Sequence, residues 1–257
     1  MKKIFVLITC SLLLSCSKDA FNDTQGTSTV CDCSNPPTEI LVWDYPVKPG
    51  MEEWKKFHSY EEMVNACQIP EKILFSLSTE ELTKICLQYP PLYNVFAFNF
   101  LSMGADKLYD DFNGIRELFK RKETSKELLR HYNCMMQNLS LLDGTDTNLE
   151  KGNYIISIDA LHFLLGFYSL KGNATKDDYK KMLQCLVHGY EGICKYTDYF
   201  NYSGFYHNFY ARAHVIIKIS PQSLEEFPLK ERNGVFHGWP SPEIMEIINK
   251  LSYQLIK

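Results

Sequence analysis

The densest run of residues able to do chemistry lies between positions 186 and 214. It holds nine aromatics, Tyr190, Tyr196, Tyr199, Phe200, Tyr202, Phe205, Tyr206, Phe209 and Tyr210, where the chain average of 14% gives about four. His188, His207 and His214 fall inside it. Tyrosine combines a flat apolar face with a hydroxyl, which suits sugars, aromatic ligands and protein partners. Tyr196, Tyr199 and Tyr202 sit around an expected helix–helix turn, where they can converge. With Tyr206, His207, Tyr210 and His214 they form a candidate ligand-binding set; core packing between two helices is the competing explanation, strongest for the phenylalanines. Trp239, in the loop His237-Gly238-Trp239-Pro240, joins the set as a ligand-facing aromatic or as a plug seating the last helix.

The same residues argue against a metal centre. His207 and His214 share an azimuth on a helix but stand ~10.5 Å apart in rise, too far for one zinc with bonds of ~2 Å. His188 falls with Lys181, Gln184, Glu191 and Lys195 on a solvated face. No metal and no cofactor are therefore expected. Asp110-Asp111 and Asp177-Asp178 do not make a glycosidase pair, because neighbouring acids on a helix diverge by about 100° rather than facing each other. G-x-S-x-G, H-E-x-x-H, P-loop, Rossmann and EF-hand signatures are all missing from the sequence.

Nine cysteines are present. Cys185 and Cys194 lie nine residues apart on one expected helix, ~13.5 Å in rise and on opposite sides, which forbids a mutual disulfide. Cys31-Asp32-Cys33 is the one close pair. It could be redox-active or bind metal, but it lies in polar, tether-like sequence without the further ligands zinc needs, and the plain reading is that it carries no special chemistry.

The elements that must position these residues read as helices. Apolar residues recur at helical spacing in Tyr60, Met63, Val64, Cys67, in Leu82, Ile85, Cys86, Tyr89, and in Leu128, Tyr132, Met135, Met136, Leu139. Two further stripes are Tyr179, Met182, Leu183, Leu186, Tyr190, Ile193 and Ile244, Ile247, Ile248, Leu251, Leu255. Ser59 with Glu62 and Ser78 with Glu81 fit the capping box, and Ser241-Pro242 sets a capping serine before proline at the first helical position. Pro70 and Thr175 open two more helices. Pro90-Pro91, Asp143-Gly144, Lys171-Gly172-Asn173 and Pro221 end others. Tyr154 to Ile158 could begin as strand, whereas Asp159 to Leu170 reads as helix. The expected fold is all-α, eight or nine helices in antiparallel hairpins forming an irregular bundle or a short superhelical array.

At the N-terminus, Lys2 and Lys3 precede an uncharged stretch, Ile4 to Ser15, too short to span a bilayer and suited to a secretory signal. Leu13-Leu14-Ser15-Cys16 resembles the lipobox of bacterial lipoproteins. The resemblance implies a signal peptide over residues 1–15, lipidation of Cys16 and anchoring to the membrane of the cell envelope. Ser17-Lys18-Asp19 resembles the short polar signals that send Bacteroidota lipoproteins to the outer face, which implies an outer-membrane, surface-exposed address. The body resembles the all-helical lipoproteins of that group, and no functional residue carries over from them. Residues 16–50 are expected to be the lipidated cysteine and a flexible tether, and 51–257 a single helical domain.

Composition narrows the partners. With 27 basic against 31 acidic residues the net charge is −4, and 45% of residues are apolar. That is a globular balance without the basic face a nucleic acid requires. The function expected from the sequence is a non-catalytic, lipid-anchored binding module for a protein, peptide or glycan. The alternative is an envelope hydrolase with a scattered His/Tyr/acid site near residues 188–239.

Overall fold

The computed structural model describes residues 31–38, 41–144, 147–222 and 241–257. The expected signal peptide, Cys16, the tether up to residue 30 and the His237–Pro240 loop with Trp239 lie outside the described residues.

Among the described residues the fold is all-α, with eleven α-helices and no strand. They are α1 (Tyr60–Ala66), α2 (Glu71–Leu74), α3 (Thr79–Leu87), α4 (Leu101–Asp111), α5 (Asn113–Leu118), α6 (Thr124–Gln137), α7 (Leu141–Gly144), α8 (Asn148–Lys171), α9 (Lys176–Lys195), α10 (Tyr202–Ile219) and α11 (Pro242–Leu255). Eight have seven or more residues; the one-turn helices α2 and α7 and the six-residue α5 carry the count past eight or nine.

The expected start signals operate in the structure. The Ser59 side chain accepts from the Glu62 amide, Ser78 and Thr175 each close a full capping box, and Ser241 caps α11 ahead of Pro242. Each satisfies backbone donors that a helix start otherwise leaves unpaired. The strand hint at Tyr154–Ile158 is overturned: these residues lie inside α8, which begins at Asn148 under a Thr147 cap that accepts from the Glu150 amide. β-Branched residues lose only a few tenths of a kcal/mol in a helix, less than their burial returns.

Helix α8 is the centre. From Ile158 to Ser169 all twelve residues are buried, so it must be covered on every side. α10 packs along most of its length, α6 flanks it, and α9 closes the layer against α10 and α6. Close approach is built into the sequence. A Cβ at Gly166 would strike the Tyr210 ring, and one at Gly189 would land on the Tyr132 hydroxyl. Gly189 thus lets α9 lie against α6.

The N-terminal segment departs most from the sequence reading, which made residues 16–50 a tether. Residues 31–38 form a strap fastened to the body. Cys31 bonds Cys185 of α9 and Cys33 bonds Cys134 of α6, with Cα–Cα separations of 5.2 and 4.7 Å. Cys67 and Cys86 are free and buried. Cys31-Asp32-Cys33 is therefore a double fastener rather than an idle pair. The two sulfurs reach two helices that pack side by side, α9 and α6. Further along, Tyr45 is buried and its hydroxyl donates to the Ile85 carbonyl at 2.9 Å.

Closing loops of 154 and 101 residues removes much chain entropy from the unfolded state. Replacing both Cys33 and Cys134 by serine is expected to cost about 2–4 kcal/mol in chemical denaturation. An unchanged unfolding midpoint would show that this bridge does not hold the strap.

Candidate functional site

Between the strap and the body lies a cavity of about 480 Å³. Pro37 and Thr38 of the strap border it above, Lys84, Leu87 and Gln88 of α3 and His131 and Met135 of α6 form its sides, and Ser157, Ala160 and Leu161 of α8 its floor. Tyr93, from the 3-10 turn Leu92–Ala97, stands at the mouth with its hydroxyl 3.3 Å from Ser157 Oγ. The volume falls within the range common for small-molecule sites.

Helical periodicity places these groups. Lys84 and Leu87 are one turn apart on α3, and His131 and Met135 one turn apart on α6, so each helix turns one polar and one apolar side chain toward the same hollow. The strap is held at this end through the Thr38 backbone. Its N–H donates to Glu80 Oε1 at 3.2 Å, and its carbonyl accepts from Lys84 Nζ at 2.5 Å. Glu80 also pairs with Arg130 at 2.7 Å, which holds its carboxyl below the usual range. Lys84 is only 8% exposed. His131 Nε2 is sealed from solvent and has no hydrogen-bond partner. Burial, reinforced by Arg130 and Lys84, pushes the His131 ring down to about 4, so it is neutral at physiological pH.

A second cluster of reactive residue types lies deeper, where α6, α8, α9 and α10 meet. His162 Nε2 is 3.0 Å from the Tyr132 hydroxyl and 3.1 Å from Asn208 Nδ2. The other Asn208 amide hydrogen goes to the Leu186 carbonyl at 3.0 Å. With Nε2 accepting, the proton of the neutral ring sits on Nδ1, 4.0 Å from Asp159 Oδ1. His207 Nδ1 is 3.1 Å from the other carboxylate oxygen, Oδ2. Burial favours the neutral His162 ring and lowers its pKa. Burial works to raise Asp159, but His162 and His207 outweigh it and hold the carboxyl below its ordinary range. Arg212 is wholly buried between the Tyr190 and Phe209 rings and donates to Asn249 Oδ1 at 2.8 Å.

This cluster has the residue types of acid–base catalysis without an opening to substrate. Tyr132, His162, Asn208 and Arg212 have no exposed surface. Neither Asp159, His162 nor His207 lines the cavity under the strap or the smaller one of about 300 Å³ between the strap, α6 and α9. Phe96 covers the His207 ring, with centroids 4.7 Å apart. Among the described residues no group of three or more His, Cys, Asp or Glu is arranged to hold a metal ion.

The tyrosine-rich set divides. Tyr196, Tyr199 and Tyr202 are half-buried around the α9–α10 turn. The Tyr196 and Tyr199 rings lie 6.3 Å apart, Tyr199 donates to Asp143 Oδ1 at 3.1 Å, and Lys151 Nζ stands 5.0 Å over its ring. Tyr206, His207, Tyr210 and His214 are buried on α10. Tyr210 stacks on Phe163, and His214 Nδ1 donates to the Tyr210 carbonyl at 2.8 Å. The structure therefore brings the turn tyrosines together at the surface and the other four into the core.

Comparison with family models, with curated proteins and with solved structures returns no match.

The buried imidazoles give a signed pH dependence. An unfolded histidine titrates near 6.5, and the folded values of His131 and His162 lie below that. The unfolded chain then binds more protons in the interval, so their contribution is complete above about pH 6.5 and is lost as pH falls, for His131 toward about 4. Asp159, held below its own ordinary value, adds its loss only at lower pH. Urea midpoints should fall from pH 7 to pH 4, and His131→Gln should flatten that slope; an identical slope in the variant would contradict the assignment. Gly189→Ala, which drives a methyl into the Tyr132 hydroxyl, should cost about 1–3 kcal/mol.

Proposed function

We propose that this chain is an exported, lipid-anchored envelope protein that works as a non-catalytic binding module, with the cavity under the strap as its binding site. The observation that carries this reading is the contrast between two polar clusters. The one with catalytic residue types is sealed in the core, whereas the one facing an open hollow holds binding groups.

Export is supported by chemistry as well as by the N-terminal sequence. Structural disulfides persist in oxidising compartments and are rare in a reducing cytosol, and the strap carries two that join distant parts of the chain. Among the described residues no helix is long and apolar enough to cross a membrane, so attachment through Cys16 would be by acyl chain. Intact mass measurement on protein extracted from the envelope should give a chain beginning at an acylated Cys16. Recovery of Cys16 with an unmodified thiol or in a disulfide would overturn the anchor.

Binding is tested by filling the hollow. Ser157→Trp, on the half-buried rim of the same helix, should abolish the saturation-transfer signals of fragments that bind the wild-type chain, while the unfolding midpoint stays within a few degrees. Hydrolysis of simple ester or glycoside substrates by the purified chain, lost on His207→Ala, would instead favour the envelope-hydrolase reading.

A further inference from the structure

The cavity under the strap contains a cation short of partners. An ammonium has three donors, and Lys84 Nζ uses one on the Thr38 carbonyl. Among the described residues no carboxylate pairs with it, although it is nearly buried. The nearest acid on its own helix, Glu80, is already engaged by Arg130 and by the Thr38 amide. A buried charge without a counter-charge is costly, and structures usually compensate it.

His131 lies beside it on the same wall, held neutral by burial. Its Nε2 has no partner and no contact with solvent, and Lys84 is close enough for its charge to act on the ring. Lys84 thus brings to the hollow a positive charge with N–H groups to spare. The remaining surface is apolar at Pro37, Leu87, Met135, Ala160 and Leu161. The Tyr93 and Ser157 hydroxyls already face each other.

Resting on the reading of this cavity as a binding site, we infer that its ligand is a carboxylate carried on a short apolar body, the charge met by Lys84 Nζ and the body by Leu87, Met135 and Leu161. Charge-assisted hydrogen bonds of this kind are about twice as strong as neutral ones. Partial desolvation by the strap strengthens them further, because less water competes. A neutral ligand would leave the ammonium uncompensated, and a cation would be repelled by it. The carboxylate can come from a free acid or from the end of a peptide, since the recognised chemistry is the same.

The test uses the full chain and three probes: 4-phenylbutyrate, its neutral analogue 4-phenylbutyramide, and the tripeptide Ala-Ala-Phe. Binding is followed through the Met135 methyl and His131 ring resonances. The acid should shift both saturably, with an affinity at least tenfold above that of the amide. Lys84→Met, which keeps the stem and removes the charge, should erase that difference. Comparing acid with amide on the wild-type chain needs no variant, so a poorly folding Lys84→Met does not blunt the test. Tighter binding of the tripeptide than of phenylbutyrate would identify a peptide end as the source, and the reverse a free acid; both support the carboxylate site. Equal binding of acid and amide at the cavity would overturn the carboxylate while leaving the cavity as a binding site. Failure of all three probes to move either resonance would overturn the carboxylate site, whereas loss of fragment binding in Ser157→Trp would still uphold the cavity.

Discussion

A helix with no solvent-facing side imposes its needs on everything around it. For twelve consecutive residues α8 is buried, and the fold is largely the arrangement of helices that keeps it so. Its polar residues in that stretch, Asp159 and His162, have to be met inside the protein, because an unmet polar group at that depth costs more than a hydrogen bond returns. The partners come from α6 as Tyr132 and from α10 as His207 and Asn208. Asn208 in turn ties α10 to the Leu186 carbonyl of α9. The cluster fixes the register of four helices against one another, and its composition of histidine, acid and hydroxyl follows from that task.

The outer edge of the same helix behaves differently. Ser157, Ala160 and Leu161 line the cavity that the strap borders, together with α3 and α6. A segment of a few residues has too little apolar area to stay folded down by burial alone. It is held covalently at one end and through the Thr38 backbone at the other. A roof fixed at its ends and thin in the middle leaves space beneath, and that space is the cavity.

The helical architecture was legible because it is written in local terms. Ser59, Ser78, Thr175 and Ser241 announce helix starts through chemistry confined to one turn, and apolar spacing names the buried faces. The strap was not legible, since Cys31-Asp32-Cys33 sits in polar sequence and its partners are 101 and 154 residues away. Nothing local distinguishes it from a loop. The site suffered likewise. The aromatic run at 186–214 attracts notice by composition, yet Tyr206 and Tyr210 serve the core. Lys84 and His131, on separate helices, meet only once α3 and α6 are packed. A signal did exist for the buried cluster: Asp159 and His162 interrupt an otherwise apolar helix, and polar residues there need internal partners.

The two bridges also decide how the molecule carries a load. A pull applied on the N-terminal side of Cys31 does not travel along the backbone through residues 34–59 into α1. It enters through sulfur into the middle of α9 and the end of α6, the helices braced against α8. Tension on that end is therefore borne by the best-packed part of the body, and α1 to α3 remain slack beside it. A backbone cut between the strap and α1 would not part the two pieces, because the strap would stay joined to the helices by its cystines.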